Sequence, residues 1–176
     1  LSQGPRRHVN APQQAPESVL VFTATYCEAG NIDEWHSRVR RVLPAARLLV
    51  IDDSSPDGTA EHLARIAAAD PAFEYIVRAG KLGLGSAHRR AMQHGWDAGY
   101  ETLVTMDADL SHQPEQIPRL LAALPGHDFV IGTRSGQGSC DYTGFRRLAF
   151  VGGNSMARLL IPTGLTEFTT SMRAFN

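Results

Sequence analysis

"RLLVIDDSSPDGTAEHLARIAAADPAFEYIV", Arg47 to Val77, is one complete strand–helix–strand unit. Its first segment, "RLLVIDD" (Arg47 to Asp53), is an unbroken apolar run that stops at two aspartates. A run without polar alternation marks a strand covered on both faces. "SSPDGT" supplies turn and cap residues. The helix after it turns Leu63, Ile66 and Ala67 inward at helical spacing. "FEYIV" (Phe73 to Val77) is the next strand. Strands joined through a crossover helix run parallel.

The same unit recurs along the chain. "SVLVFTAT" (Ser18 to Thr25) precedes a helix with Ile32, Trp35, Val39 and Val42 on one face, and Pro44 ends that helix. The Gly-rich "GKLGLGS" opens a helix from about Ser86 to Ala98. "ETLVTMD" is a fourth strand, and a Pro-initiated helix carries Ile117, Leu120, Leu121 and Leu124. "DFVIGTR" (Asp128 to Arg134) is a fifth strand. The repetition predicts an α/β fold with a mostly parallel central sheet and helices on both faces.

Composition narrows the function. The chain has 176 residues, 43% hydrophobic and 20% charged, and a net charge of -1. That balance suits a soluble globular domain and gives no bulk basic field for nucleic acid. Cys27 and Cys140 stand far apart with no CxxC partner, which argues against a disulfide framework or a zinc knuckle. Residues 1–17, rich in Pro and Gln, read as a flexible tail before a domain spanning 18–176. No apolar run reaches the roughly 20 residues of a membrane span.

In parallel sheets of this kind, ligands bind outside the carboxyl ends of the strands. That rule sorts the polar residues. Thr25, Tyr26 and Glu28 follow the first strand, and Asp52 and Asp53 end the second. Lys81 and the loop glycines, Gly83 among them, follow the third; Asp107 and Asp109 end the fourth, and Arg134 ends the fifth. All gather at one edge.

In "LVTMDADLSHQP", Asp107 and Asp109 stand one residue apart and can both face a hard cation such as Mg²⁺ or Mn²⁺. An ordinary polar turn is the competing reading, and the convergence of strand ends favours the metal. Asp52 and Asp53 can accept from a base N–H or ribose hydroxyl, or close a turn with Ser54, Ser55 and Asp57. "GKLGLGSA" is neither a P-loop nor a dinucleotide fingerprint. It either lets backbone approach a ligand, with Lys81 countering charge, or serves as a helix entry. Arg134 has the fork of donors that suits phosphate. His112 reads as a loop residue rather than a ligand. "GFRRLAFVGGNSMARLLI" (Gly144 to Ile161) has amphipathic spacing, suited to a core-facing helix or to a membrane surface.

Six pieces together carry a family resemblance: "TATYCEAGNI", "LLVIDDSSPDGTAEHL", "GKLGLGSAHRRAMQHGW", "VTMDADLSHQPEQIPRLL", "DFVIGTRS" and "GFRRLAFVGGNSMARLL". In order and spacing the chain resembles the family 2 glycosyltransferases of the GT-A fold, and within them the dolichol-phosphate and polyprenol-phosphate mannose synthases. The resemblance implies that Asp107 and Asp109 bind Mg²⁺ or Mn²⁺ across the donor's diphosphate, with the Ala108 carbonyl and Ser111 completing the loop. It places Asp53, with Asp52 beside it, at the base, and Thr25, Tyr26, Glu28, Lys81 and Gly83 on the nucleotide sugar. Arg134 meets the diphosphate. Arg146 and Arg147, with Glu167, Thr170 and Arg173 of the late loop, meet the acceptor phosphate.

The sequence departs from the family pattern at Ala24 and Cys27, and in "EFTTSMR" at Glu167, Thr170, Ser171 and Met172. The resemblance also implies further strand and helix elements after Asn176. The expected reaction is an inverting transfer of mannose from GDP-mannose to a polyprenyl or dolichyl phosphate. It would occur at the cytoplasmic face of a membrane, met directly or through an anchoring domain or subunit. A UDP-sugar donor, a sugar-hydroxyl acceptor with Glu167 as base, and a non-catalytic nucleotide-sugar-binding module are the alternatives.

Overall fold

The computed structural model describes residues 18–133 and 170–176. The expected strand–helix alternation is present: β1 (Val19–Thr25), α1 (Ile32–Val42), β2 (Arg47–Asp52), α2 (Thr59–Ala69), β3 (Phe73–Val77), α3 (Leu84–Ala98), β4 (Thr102–Thr105), α4 (Ile117–Ala123) and β5 (Phe129–Ile131). A last strand, β6 (Arg173–Phe175), was not foreseen. Three residues, "RAF", are too few to show a period.

The sheet order is β3-β2-β1-β4-β6-β5. β1 pairs in parallel with both β2 and β4, and β2 with β3. β6 lies antiparallel between β4 and β5. β1 to β5 therefore all point one way, and only β6 is reversed. Strand order reverses between β1 and β4, and at such a switch point a crevice opens at the carboxyl edge.

Each face carries its own core. Val19, Val21, Leu48, Val50 and Val104 pack beneath Ile32, Trp35 and Val39 of α1, Leu63 and Ile66 of α2, and Ile117 and Leu120 of α4. On the other face Leu20, Phe22, Leu49 and Ile51 meet Ala87 and Ala91 of α3. Small residues let α3 sit close: a Cβ on Gly95 would lie 3.5 Å from Leu20 Cδ2.

Four elements have bounds that differ from expectation. α3 starts at Leu84 rather than Ser86, because the Gly83 carbonyl already accepts from the amides of Ser86 (3.2 Å) and Ala87 (3.3 Å). Pro114 opens a 3₁₀ turn, Pro114–Gln116, and α4 begins only at Ile117. Pro118 has no N–H to offer the Pro114 carbonyl, so the first turn stays tight. β4 and β5 are shorter than the runs read for them; beyond Thr105 the chain leaves the ladder for the Asp107 loop.

Candidate functional site

The loops at the carboxyl edge are sewn to one another. After β1, the Cys27 amide donates to Ser55 Oγ (2.9 Å), the Glu28 amide to Thr59 Oγ1 (3.0 Å) and the Ala29 amide to Asp57 Oδ2 (3.0 Å). Cys27 (φ 64°), Ser54 (φ 53°) and Leu110 (φ 61°) are the non-glycine residues in left-handed backbone among those described. All three lie in loops at this edge, where strained backbone tends to accompany function.

The two aspartates that end β2 have separated roles. Asp52 is fully buried and accepts from Thr25 Oγ1 (2.8 Å), the Ser55 amide (2.8 Å) and Ser55 Oγ (2.5 Å). Three of its acceptor positions are taken by Thr25 and Ser55, so Asp52 closes the turn that its sequence context also allowed. Asp53 is ion-paired with Arg78 and accepts from the Gly83 amide (3.1 Å). Arg78 also donates to the Gly83 carbonyl (3.1 Å) and to Ser86 Oγ. Sequence reasoning missed Arg78. Its signal was its place immediately after β3, at the same edge as the other candidates.

That network gives the glycine loop a structural task. Gly83 takes φ 85° and clamps the loop to Asp53, while Lys81 lies 3.6 Å over the half-exposed ring of Tyr26. The ammonium and the ring join the loops after β1 and β3 across the outside of the crevice.

Asp107 and Asp109 stand at the end of β4. Ala108 between them is buried, and Asp109 Oδ1 accepts from the Ser111 amide (3.0 Å), an Asx turn. Burial pushes the Glu28 carboxyl above the usual range, a hydrogen bond from Asn31 opposes it, and the charges of Asp109, Asp57 and Asp107 push it further up. The loops after β1, β2 and β4 thus converge on a shared negative field. No group of three or more His, Cys, Asp or Glu side chains among the described residues is placed to hold a metal. This donor set fits a hard cation that takes a carboxylate or two from protein and its other oxygens from water and substrate phosphate.

On the far side of the crevice, Arg173 begins β6 opposite Thr105 and Ile131, so the reversed strand returns to the same edge. Its Nε donates to the Thr170 carbonyl (2.8 Å). Thr170 is only 2% exposed, with its hydroxyl accepting from the Met172 amide (3.2 Å) and lying 3.0 Å from His112 Nε2. His112 is a loop residue, as read, and is only 5% exposed beneath the Asp107 loop. Arg134, Arg146, Arg147 and Glu167, and the amphipathic stretch Gly144 to Ile161, lie outside the described residues.

Fold and site together define a GT-A sugar-nucleotide transferase fold: a switch point between β1 and β4 with an Asp-x-Asp loop at its mouth. The chain belongs to glycosyl transferase family 2, whose model matches residues 20–176. It is 38% identical over 159 residues to the undecaprenyl-phosphate mannosyltransferase of Micrococcus luteus, covering 89% of this chain and 65% of that one. It is 36% identical over 163 residues to the polyprenol monophosphomannose synthase of Mycolicibacterium smegmatis, covering 90% and 62%. The chain thus spans somewhat under two thirds of these relatives' length.

Among solved structures, the Pyrobaculum calidifontis mannosyltransferase PcManGT, in complex with GDP-Man and Mn²⁺, aligns with a TM-score of 0.59 at 22% identity, over 94% of this chain and 48% of that one. Glucosyl-3-phosphoglycerate synthase from Mycobacterium tuberculosis, with Mn²⁺, UDP and phosphoglyceric acid, aligns with a TM-score of 0.65 at 18% identity, over 91% and 56%.

Proposed function

We propose that the protein transfers mannose, with inversion, from GDP-mannose to a polyprenyl phosphate, using Mn²⁺ or Mg²⁺ at Asp107 and Asp109. The observation that carries this reading is the position of both aspartates at the β1/β4 switch point, in a chain whose relatives are named for joining mannose to a polyprenyl phosphate. Asp107 and Asp109 would hold the cation through oxygen, and it would supply positive charge against the donor's diphosphate. Tyr26, Glu28 and Asp53 line the nucleotide side of the crevice, with Lys81 countering charge at its rim. Arg134 adds a second cation to the diphosphate, and Arg146, Arg147 and Arg173 receive the acceptor phosphate.

An acceptor phosphate is already an anion near neutral pH and needs no general base. A sugar hydroxyl would need one. Among the described residues no helix is long and apolar enough to cross a membrane. A lipid acceptor brings the protein to the cytoplasmic face of a membrane, met directly or through an anchoring domain or subunit.

Turnover of a panel of GDP- and UDP-sugars with polyprenyl phosphate, with and without Mn²⁺, tests the reading. Mannosyl-phospholipid formed only from GDP-mannose with metal is the expected result. Transfer from a UDP-sugar would reassign the donor, and nucleotide binding without transfer to any acceptor would make the protein a binding module. Asp109→Ala should abolish metal-dependent turnover and leave the far-UV circular dichroism unchanged; retained turnover would remove the metal from this loop.

A further inference from the structure

We propose that His112 is a positioning residue: it pins the metal-bearing loop to the turn before β6, so that Thr170, remote from the cation, helps set cation affinity. This inference rests on the metal-dependent reading above. The Asp107 amide donates to His112 Nδ1 (3.3 Å), while His112 Nε2 lies 3.0 Å from Thr170 Oγ1. A ring nitrogen that accepts from an amide carries no proton, so the proton sits on Nε2 and is donated to the threonine. Nδ1 also lies 3.3 Å from Asp107 Oδ2, so the ring meets both the amide and the carboxylate of Asp107.

The anchor is firm. Thr170 Oγ1 also accepts from the Met172 amide (3.2 Å), and the Met172 carbonyl accepts from the Gly132 amide (2.8 Å) at the exit of β5. The neighbouring Ser171 carbonyl accepts from Thr105 Oγ1 (2.7 Å) at the end of β4. One buried ring therefore ties the Asp107 loop to a turn held by both β4 and β5.

The loop needs such a tie. Leu110, between Asp109 and His112, is held at φ 61°, a conformation that persists only where its surroundings over-determine it. Releasing His112 lets Leu110 relax toward ordinary backbone and lets the two aspartates drift apart.

The test is Mn²⁺-dependent binding of GDP and of UDP by calorimetry, alongside thermal unfolding of each variant. His112→Ala should weaken Mn²⁺ binding by about 10- to 100-fold. His112→Asn, whose Oδ1 can still accept from the Asp107 amide, should recover part of it. Thr170→Val should weaken Mn²⁺ binding in the wild type and add nothing in the His112→Ala background. Additive losses, or a folded His112→Ala variant with wild-type Mn²⁺ affinity, would overturn the proposal while leaving the metal site standing. If His112→Ala fails to fold, Thr170→Val alone decides, and unchanged Mn²⁺ affinity there refutes it. A wild-type protein that takes up neither nucleotide with Mn²⁺ refutes the metal-dependent reading itself, and this inference with it.

Discussion

Asp52 and Asp53 are sequence neighbours with different duties. Asp52 keeps the β2 turn closed from a fully buried position, whereas Asp53 faces Arg78 and the glycine loop. Asp52→Ala strands the Ser55 amide and the Thr25 hydroxyl, and should cost about 2 kcal/mol in denaturant unfolding. Asp53→Asn weakens the tie to Arg78 and should loosen nucleotide binding more than it lowers stability, read by titration beside a melt. Glu28 carries a pH signature. Its pKa in the folded state is raised by burial and by its acidic neighbours, so the native state holds the proton more tightly than the unfolded chain does. Stability from this group is present below the unfolded carboxyl pKa and is lost as pH rises through the folded one. Glu28→Gln should therefore raise the melting temperature at neutral pH and leave it unchanged in acid. The reverse order would contradict a buried, repelled carboxylate. Sequence could place Asp52, Asp53 and Glu28 at one edge, but not say which carboxylates are spent internally. That depends on partners such as Ser55 and Arg78, whose approach is a tertiary fact.

Helix ends show where local chemistry was legible. α2 begins after Gly58 at φ 91°, with Asp57 accepting from the Thr59 amide (3.2 Å) and hydroxyl (2.6 Å). "SPDGT" announces this start in sequence. Gly58→Ala keeps the cap but forces a side chain into left-handed backbone, and should cost about 1 kcal/mol. The other end of α2 was less legible. Asp70 there accepts from His36 Nε2 (2.7 Å) and Arg40 Nε (2.6 Å), joining α2 to α1. Burial raises the Asp70 pKa, but the bonds from His36, Arg40 and the Ala72 amide outweigh it, and the carboxyl ends below its usual range. Its stabilisation is present above the unfolded carboxyl pKa and is lost as pH falls through the folded one. Asp70→Asn should destabilise at neutral pH by about 2 kcal/mol, with the gap to wild type closing in acid. Nothing in the spacing of His36, Arg40 and Asp70 marks them as partners, since they meet only when α1 and α2 lie side by side on the sheet.

Across the whole molecule, the parallel half could be read in advance because long apolar runs such as Leu48–Ile51 are themselves the signal. The antiparallel insertion could not, because β5 and β6 are three residues each. Their shortness predicts a gradient of stability: amides of β1 and β2 should exchange slowest, and those of β5 and β6 should open first and independently of global unfolding. Uniform protection across all six strands would contradict it. β6 has another consequence. The chain leaves β5 and re-enters β6 at adjacent points, because Ile131 pairs with Arg173 and the Gly132 amide donates to the Met172 carbonyl (2.8 Å). Whatever sequence lies between those points begins and ends on the same pair of strands. Holding two points of a chain together costs only logarithmically more as the chain between them lengthens. The interval should therefore tolerate changes in length without shifting the register of the other described strands. The described strands then act as a fixed chassis, whose register does not depend on the length of chain joining β5 to β6.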